Sequence, residues 1–190
     1  MKNILFVNAC FRPQSRTLIL ARRVLERLEG QVEEVCLQHE SIPPLNAETL
    51  VRREALIQDG NFSHPMFRYA RQYAQADMIV IATPCWDMSF PAALKAYLEA
   101  VMVLGLTFGY TPQGMPMGLC KAKELIYVTT AGGPIMGNDL GFQYVKSLTQ
   151  LYHSIPSVRC FAADNLDIVG ADVEAIMAKA LKEIDNGICP

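Results

Sequence analysis

The sequence predicts an α/β fold, a parallel sheet doubly wound by helices on both faces, and three observations carry that prediction. Short continuous apolar runs, such as Ile4-Leu5-Phe6-Val7 and Met78-Ile79-Val80-Ile81-Ala82, have the composition of strands buried on both faces. Segments with apolar residues at helical spacing alternate with those runs along the chain. No repeat or low-complexity linker interrupts the alternation, and 190 residues suffice for one domain, 1–190, with a substantial core.

Taken in order, Lys2 to Asn8 is the first strand. A helix starts near Ser15 or Thr17, both good N-caps, and runs to Glu29, with Leu18, Ala21, Leu25 and Leu28 inward and Gly30 as its stop. Gln31 to Leu37 is the second strand. Ile42-Pro43-Pro44-Leu45 is irregular because two prolines block helix and ladder alike. Ala47 to Ile57 is helical, and Asp59-Gly60-Asn61 breaks it. Pro65 opens a helix to Gln75 with Phe67, Ala70, Tyr73 and Ala74 inward.

Asp77 to Thr83 is the third strand, followed by a helix from Phe90 to Val103 with Leu94, Tyr97, Leu98 and Val101 on one face. Thr107 to Leu119 is a Gly- and Pro-rich excursion carrying Phe108 and Tyr110 as exposed aromatics. Glu124 to Thr130 is the fourth strand, Leu140 to His153 a helix, Val158 to Ala163 the fifth strand, and Asp172 to Asp185 the closing helix, stopped at Gly187. Right-handed crossovers and five strands fit the flavodoxin-like order 2-1-3-4-5, in which a ligand sits where strands 1 and 3 diverge.

Composition narrows the function classes. Hydrophobic residues make up 51% and charged residues 19%, as in ordinary globular proteins. A net charge of −2 and a pI near 5.9 leave no electrostatic footprint for nucleic acid or an anionic membrane. The apolar run after Lys2 is too short for a signal peptide, and Ala100 to Leu106 falls far short of the roughly 20 residues that span a bilayer. A cytoplasmic protein is expected. The six cysteines include no CxxC and the three histidines are isolated, so no metal site is expected. Cys36 and Cys160 read as buried, reduced packing residues, and Cys189 stands next to the terminus.

Three loops of unusual composition leave the carboxyl edge of that sheet. Ala9–Thr17 ends in Gln14-Ser15-Arg16-Thr17 at a helix N-terminus, where two hydroxyls, an arginine and free N–H groups suit a phosphate; a helix cap with a solvated arginine has the same sequence. Pro84–Ser89 holds Trp86, the only tryptophan, which is either a wall for a flat ligand or a half-buried core aromatic. Thr129–Pro134 contains Ala131-Gly132-Gly133, which allows close backbone approach or a tight turn. No GxGxxG follows the first strand, so a dinucleotide held in the Rossmann manner is not expected. A phosphate at the first loop and a ring between the other two fit a mononucleotide such as FMN.

Pro84-Cys85-Trp86-Asp87-Met88-Ser89-Phe90-Pro91-Ala92-Ala93-Leu94-Lys95-Ala96-Tyr97, Gly105-Leu106-Thr107-Phe108-Gly109-Tyr110-Thr111 and Thr129-Thr130-Ala131-Gly132-Gly133 resemble the FMN-dependent NADH-azoreductases, grouped with the NAD(P)H:quinone oxidoreductases. The resemblance runs from the first strand to the last helix. It implies that Cys10, Ser15, Arg16 and Thr17 hold the FMN phosphate. Cys85, Trp86, Asp87 and Met88 would line the flavin ring, and Thr130, Ala131, Gly132 and Gly133 the opposing loop. Phe108 and Tyr110 would wall the substrate site at a homodimer interface. The implied reaction passes hydride from NAD(P)H to the flavin and then to a quinone or azo compound, with no side-chain acid or base required. The family usually has Ser at position 10, Tyr-Asn at 86–87 and often Arg at 131, so Asp87 brings a carboxylate toward a ring that becomes anionic on reduction.

Two other readings use the same residues. Cys10 and Arg16 fit the C-x5-R-[ST] pattern of low-molecular-weight tyrosine phosphatases, although Phe11, Arg12 and Pro13 replace the residues whose N–H groups should converge and no Asp-Pro step supplies the acid. A flavodoxin-type electron carrier would share the fold but is expected to be far more acidic than −2.

Overall fold

The computed structural model describes residues 1–135, 137 and 139–188, so Cys189 lies outside the described residues. In chain order the elements are β1 (Asn3–Asn8), α1 (Arg16–Glu26), β2 (Gln31–Cys36), α2 (Ala47–Gln58), a single 3-10 turn (Pro65–Phe67), α3 (Arg68–Gln75), β3 (Met78–Pro84), α4 (Ala92–Val101), β4 (Phe108–Tyr110), β5 (Pro116–Gly118), β6 (Glu124–Thr130), α5 (Leu140–Tyr152), β7 (Ser157–Ala163) and α6 (Val173–Gly187). The five long strands form one parallel sheet in the order β2-β1-β3-β6-β7. Counting only those strands, this is the expected 2-1-3-4-5.

Alternation along the strands divides the core into two layers. Leu5, Val7, Ile79, Ile81, Leu125 and Tyr127 pack with Tyr73 of α3, Leu94 and Tyr97 of α4 and Val145 of α5. The intervening Ile4, Phe6, Val80, Ala82, Ile126 and Val128 pack on the other face with Leu20 and Val24 of α1 and Ala180 and Ile184 of α6. Arg23 donates from Nε to Asp185 at 2.7 Å, joining α1 to α6 at the rim of that layer. Among the described residues no helix is long and apolar enough to cross a membrane.

Several expectations need correction. The buried stripe of α1 is Thr17, Leu20, Ala21 and Val24, while Leu18, Leu25 and Leu28 are only partly buried at its margin. The helix ends three residues before Glu29, and Gly30 serves a close approach instead: a Cβ there would stand 2.6 Å from the Lys2 carbonyl oxygen. The 107–119 excursion contains the antiparallel β4–β5 ribbon, and Phe108 is half-buried, edge-on to both Tyr110 and Tyr152, with only Tyr110 exposed. Cys36 and Cys160 are unpaired but half-buried, because both strands that carry them lie at sheet edges. The helix expected from Pro65 begins as a 3-10 turn, yet Phe67, Ala70, Tyr73 and Ala74 do face inward. Helix α2 has no buried residue and leaves Leu50 and Val51 exposed.

Candidate active site

Because all five strands point the same way, the loops after β1, β3, β6 and β7 emerge together. They enclose an open cleft of about 940 Å³ at the β1–β3 divergence, within the size range of cofactor sites. Its lining includes Ser15, Arg16 and Thr17 from the first loop, Cys85, Trp86 and Asp87 from the second, and Thr130, Ala131 and Gly132 from the third.

The first loop is fixed before it reaches the cleft. Asn8 Oδ1 accepts from the Cys10 N–H at 3.0 Å, and the Ala9 N–H donates to the Ala82 carbonyl at 2.8 Å. Ser15 then caps α1, its hydroxyl oxygen accepting from Leu18 N–H at 3.2 Å. By helix geometry the N–H groups of Arg16 and Thr17 have no intrahelical acceptor and face an end of positive potential. The hydroxyls of Thr17 and Thr130 are 2.6 Å apart, closing the floor between α1 and β6.

The second loop is a tight hairpin turn. Trp86 N–H donates to Ser89 O at 2.8 Å and Ser89 N–H to Trp86 O at 2.9 Å, with Asp87 and Met88 both left-handed at φ 50° and 67°. Such a turn ordinarily carries Asn-Gly, so two side-chain-bearing residues here hold backbone strain beside the cleft. The Leu140 N–H donates to Met88 O at 3.1 Å and ties the turn to α5. Trp86 remains 39% exposed and tilts over Phe11, ring centroids 6.2 Å apart, so an aromatic wall faces the cleft.

Not every predicted residue lies on this surface. Cys10 is buried, its Sγ directed at the Ala82 carbonyl oxygen 3.7 Å away, and burial pushes the thiol up to about 11. Met88 and Gly133 belong to the right loops but are not in the lining, and Phe108 and Tyr110 sit on the β4–β5 ribbon rather than in the cleft. Residues outside the prediction take part: Phe11, Arg12, Pro13 and Gln14 from the first loop, and Leu166 and Asp167 after β7. Arg16 Nη1 donates to Asp167 Oδ1 at 2.8 Å and to the Leu166 carbonyl at 3.1 Å. The only sequence signal for that fourth loop was its place after the fifth strand.

Beneath the second loop, Asp139 caps α5 by accepting from Phe142 N–H at 2.7 Å. Burial raises its pKa, and the nearby Cys85 thiol is raised chiefly by burial and then by the charges of Asp139 and Asp87. Neither cysteine at this edge is poised as a thiolate nucleophile.

Residues 2–188 match the family described as having a flavodoxin-like fold. Curated relatives include an FMN-dependent NADH:quinone oxidoreductase of Lachnoclostridium phytofermentans, 33% identical over 92% of each chain, and FMN-dependent NADH:quinone oxidoreductase 2 of Clostridium acetobutylicum, 31% identical over 96% of each. Among solved structures, an azoreductase from Bacillus anthracis superposes with a TM-score of 0.82 at 23% identity, covering 99% of both chains. An FMN-dependent NADH-azoreductase from the same species, in complex with FMN, gives 0.83 at 19% identity over 99% of this chain and 98% of that one. At such identities the structural likeness speaks for the fold.

Proposed function

We propose, from the premise that the chain belongs to the family with the flavodoxin-like fold, that it is an FMN-dependent NAD(P)H oxidoreductase reducing quinones or azo compounds. One observation carries the reading: three loops with the composition expected for phosphate and ring binding line a single cleft at the sheet's switch point. The names of the relatives, which match almost end to end, support the same chemistry. Residues 1–190 then act as one FMN-binding domain.

The donor set fits the group. Ser15 accepts from Leu18 N–H and keeps its own proton to donate, and of the paired Thr17 and Thr130 hydroxyls one proton stays free. With the first-turn N–H groups and the guanidinium groups of Arg12 and Arg16, these suit a phosphate. Trp86 and Phe11 offer an aromatic face to a planar ring, and the Cys85–Asp87 backbone and the Ala131–Gly132 segment border it. When bound, FMN supplies the hydride chemistry. The chain's part would be to anchor the phosphate at the α1 N-terminus, border the ring with the Trp86 and Ala131–Gly132 loops, and leave the open cleft accessible to reductant and acceptor in turn.

Exposed apolar residues on α2 (Leu50, Val51) and on or beside the ribbon (Tyr110, Met115, Met117) support a homodimer, in which Phe108 and Tyr110 can serve a substrate site shared between copies. Cys10 and Met88, as a buried neighbour and a turn residue, act on the flavin through the loops that carry them, and Gly133 through the backbone of its loop. The unpaired state of Cys10, Cys36, Cys85, Cys120 and Cys160 supports a reducing compartment such as the cytoplasm.

The phosphatase alternative loses its nucleophile, since Cys10 is buried and held as a thiol. The test is an absorbance titration of purified protein with FMN at equilibrium, followed by NADH and a quinone. A saturable shift of the flavin spectrum and quinone-dependent NADH oxidation are expected. Protein that binds no FMN overturns the reading, while bound FMN without NAD(P)H oxidation indicates an electron carrier.

A further inference from the structure

The charge balance of the cleft is unusual for a phosphate site. Its lining carries two arginines, Arg12 and Arg16, and two carboxylates, Asp87 and Asp167, for a net charge of zero. Arg16 is already engaged by Asp167 Oδ1 at 2.8 Å. Asp167 is in turn seated against the third loop: its backbone N–H donates to Gly132 O at 2.9 Å, and a Cβ at position 132 would stand 2.5 Å from the carboxylate Oδ2. Asp167 thus bridges the α1 N-terminus and the glycine loop at the end where a phosphate would dock. With Arg16 and Asp167 side chains 40% and 62% exposed, this ion pair adds little to folding stability and exchanges partners readily.

We infer that Asp167 competes with the ligand's phosphate for Arg16, so that the cleft holds flavin mononucleotide as an exchangeable ligand rather than a permanent one. The inference rests on the FMN reading above. A phosphate carries nearly two negative charges at neutral pH. To reach Arg16 it must either displace the carboxylate or share one guanidinium with it at a separation where like charges repel. Riboflavin, which has the same ring and ribityl chain without the phosphate, is indifferent to that competition. Asp167 is therefore a selectivity residue: it lowers the advantage of FMN over the unphosphorylated flavin.

The experiment titrates apo-protein with FMN and separately with riboflavin, following quenching of the lone tryptophan, Trp86, at low and high salt. Wild type, Asp167→Asn, Asp167→Ser and Arg16→Gln are compared, the serine variant standing in should asparagine disturb the turn. Both Asp167 variants are expected to bind FMN about tenfold more tightly and to become more salt-sensitive, with riboflavin affinity changed by less than about twofold. Arg16→Gln should weaken FMN alone. Unchanged or weaker FMN binding in both Asp167 variants overturns the inference and makes Asp167 a positioning residue for Arg16. Equal tightening of FMN and riboflavin also overturns it, because the effect would not then lie at the phosphate. Wild type that binds neither flavin removes the FMN reading itself, a result distinct from the other two.

Discussion

Thr17 and Thr130 stand 113 residues apart in sequence and 2.6 Å apart in space, hydroxyl to hydroxyl, both buried in the floor of the cleft. Thr17 and Thr130 are only 1% and 7% exposed, so each hydroxyl relies chiefly on the other. Thr17→Val or Thr130→Val should each cost about 1–2 kcal/mol, while the double variant should cost clearly less than their sum. Urea unfolding of the four proteins gives the coupling. Strict additivity would show that the two groups do not satisfy each other.

The left-handed Asp87–Met88 turn offers a stabilising change next to the site. Met88 has φ 67° and is 56% exposed, so Met88→Gly relieves backbone strain and gives up little packing. A gain of about 0.5–1 kcal/mol is expected after allowance for the freer unfolded chain. Met88→Ala keeps the Cβ and should give none of it. Denaturant midpoints of the two variants decide the matter.

His153 gives the fold an acid limit. It is fully buried against Tyr73, ring centroids 4.7 Å apart, neither ring nitrogen has a partner among the described residues, and burial lowers its pKa from 6.5 to about 4. The unfolded chain therefore takes up the proton first. Stability holds its plateau above about pH 6.5 and falls by about 3 kcal/mol as the pH drops toward 4. Replacing His153 with Phe should flatten that limb of the stability–pH curve. An unaltered slope would assign the acid sensitivity elsewhere.

Asp87 is expected to act on the electron affinity of a bound flavin rather than on folding. It lines the cleft beside Trp86, and reduction adds negative charge to a bound flavin ring. Asp87→Asn keeps a residue tolerant of the left-handed region while removing the charge. The flavin midpoint potential should rise by about 10–30 mV, equivalent to at most about 1.4 kcal/mol for two electrons. Dye-equilibration potentiometry reads it, and a fall in potential would show that the carboxylate points away.

What the sequence disclosed depended on the length of the pattern. Ile4–Val7 and Met78–Ala82 are long enough to declare central strands, while their order came from matching five alternating strands to the flavodoxin-like pattern. Helix α1 was legible but its inward face was not: Leu18, Ile19, Leu20, Ala21, Val24, Leu25 and Leu28 surround it almost completely, and only its packing against the sheet and α6, distant in sequence, selects Leu20 and Val24. The three-residue strands of the ribbon are shorter than any periodicity can register. Cys10 looked like a loop residue by position, yet the chain turns its thiol toward Ala82 before the loop opens. Asp167 was invisible for a different reason, since a polar turn acquires a partner such as Arg16 only when the topology sets β7 at the same edge.

Helix α2, which buries none of its residues, has a consequence for how the molecule opens. Its amides are guarded by helical hydrogen bonds but by little tertiary packing, so they can exchange with deuterium through local fraying while the two core layers stay shut. In a solitary copy these amides should label among the first, well ahead of those in β1, β3 and β6. Protection of α2 that grows with protein concentration would then time the arrival of a second copy, making this one helix a reporter of assembly that needs neither flavin nor turnover.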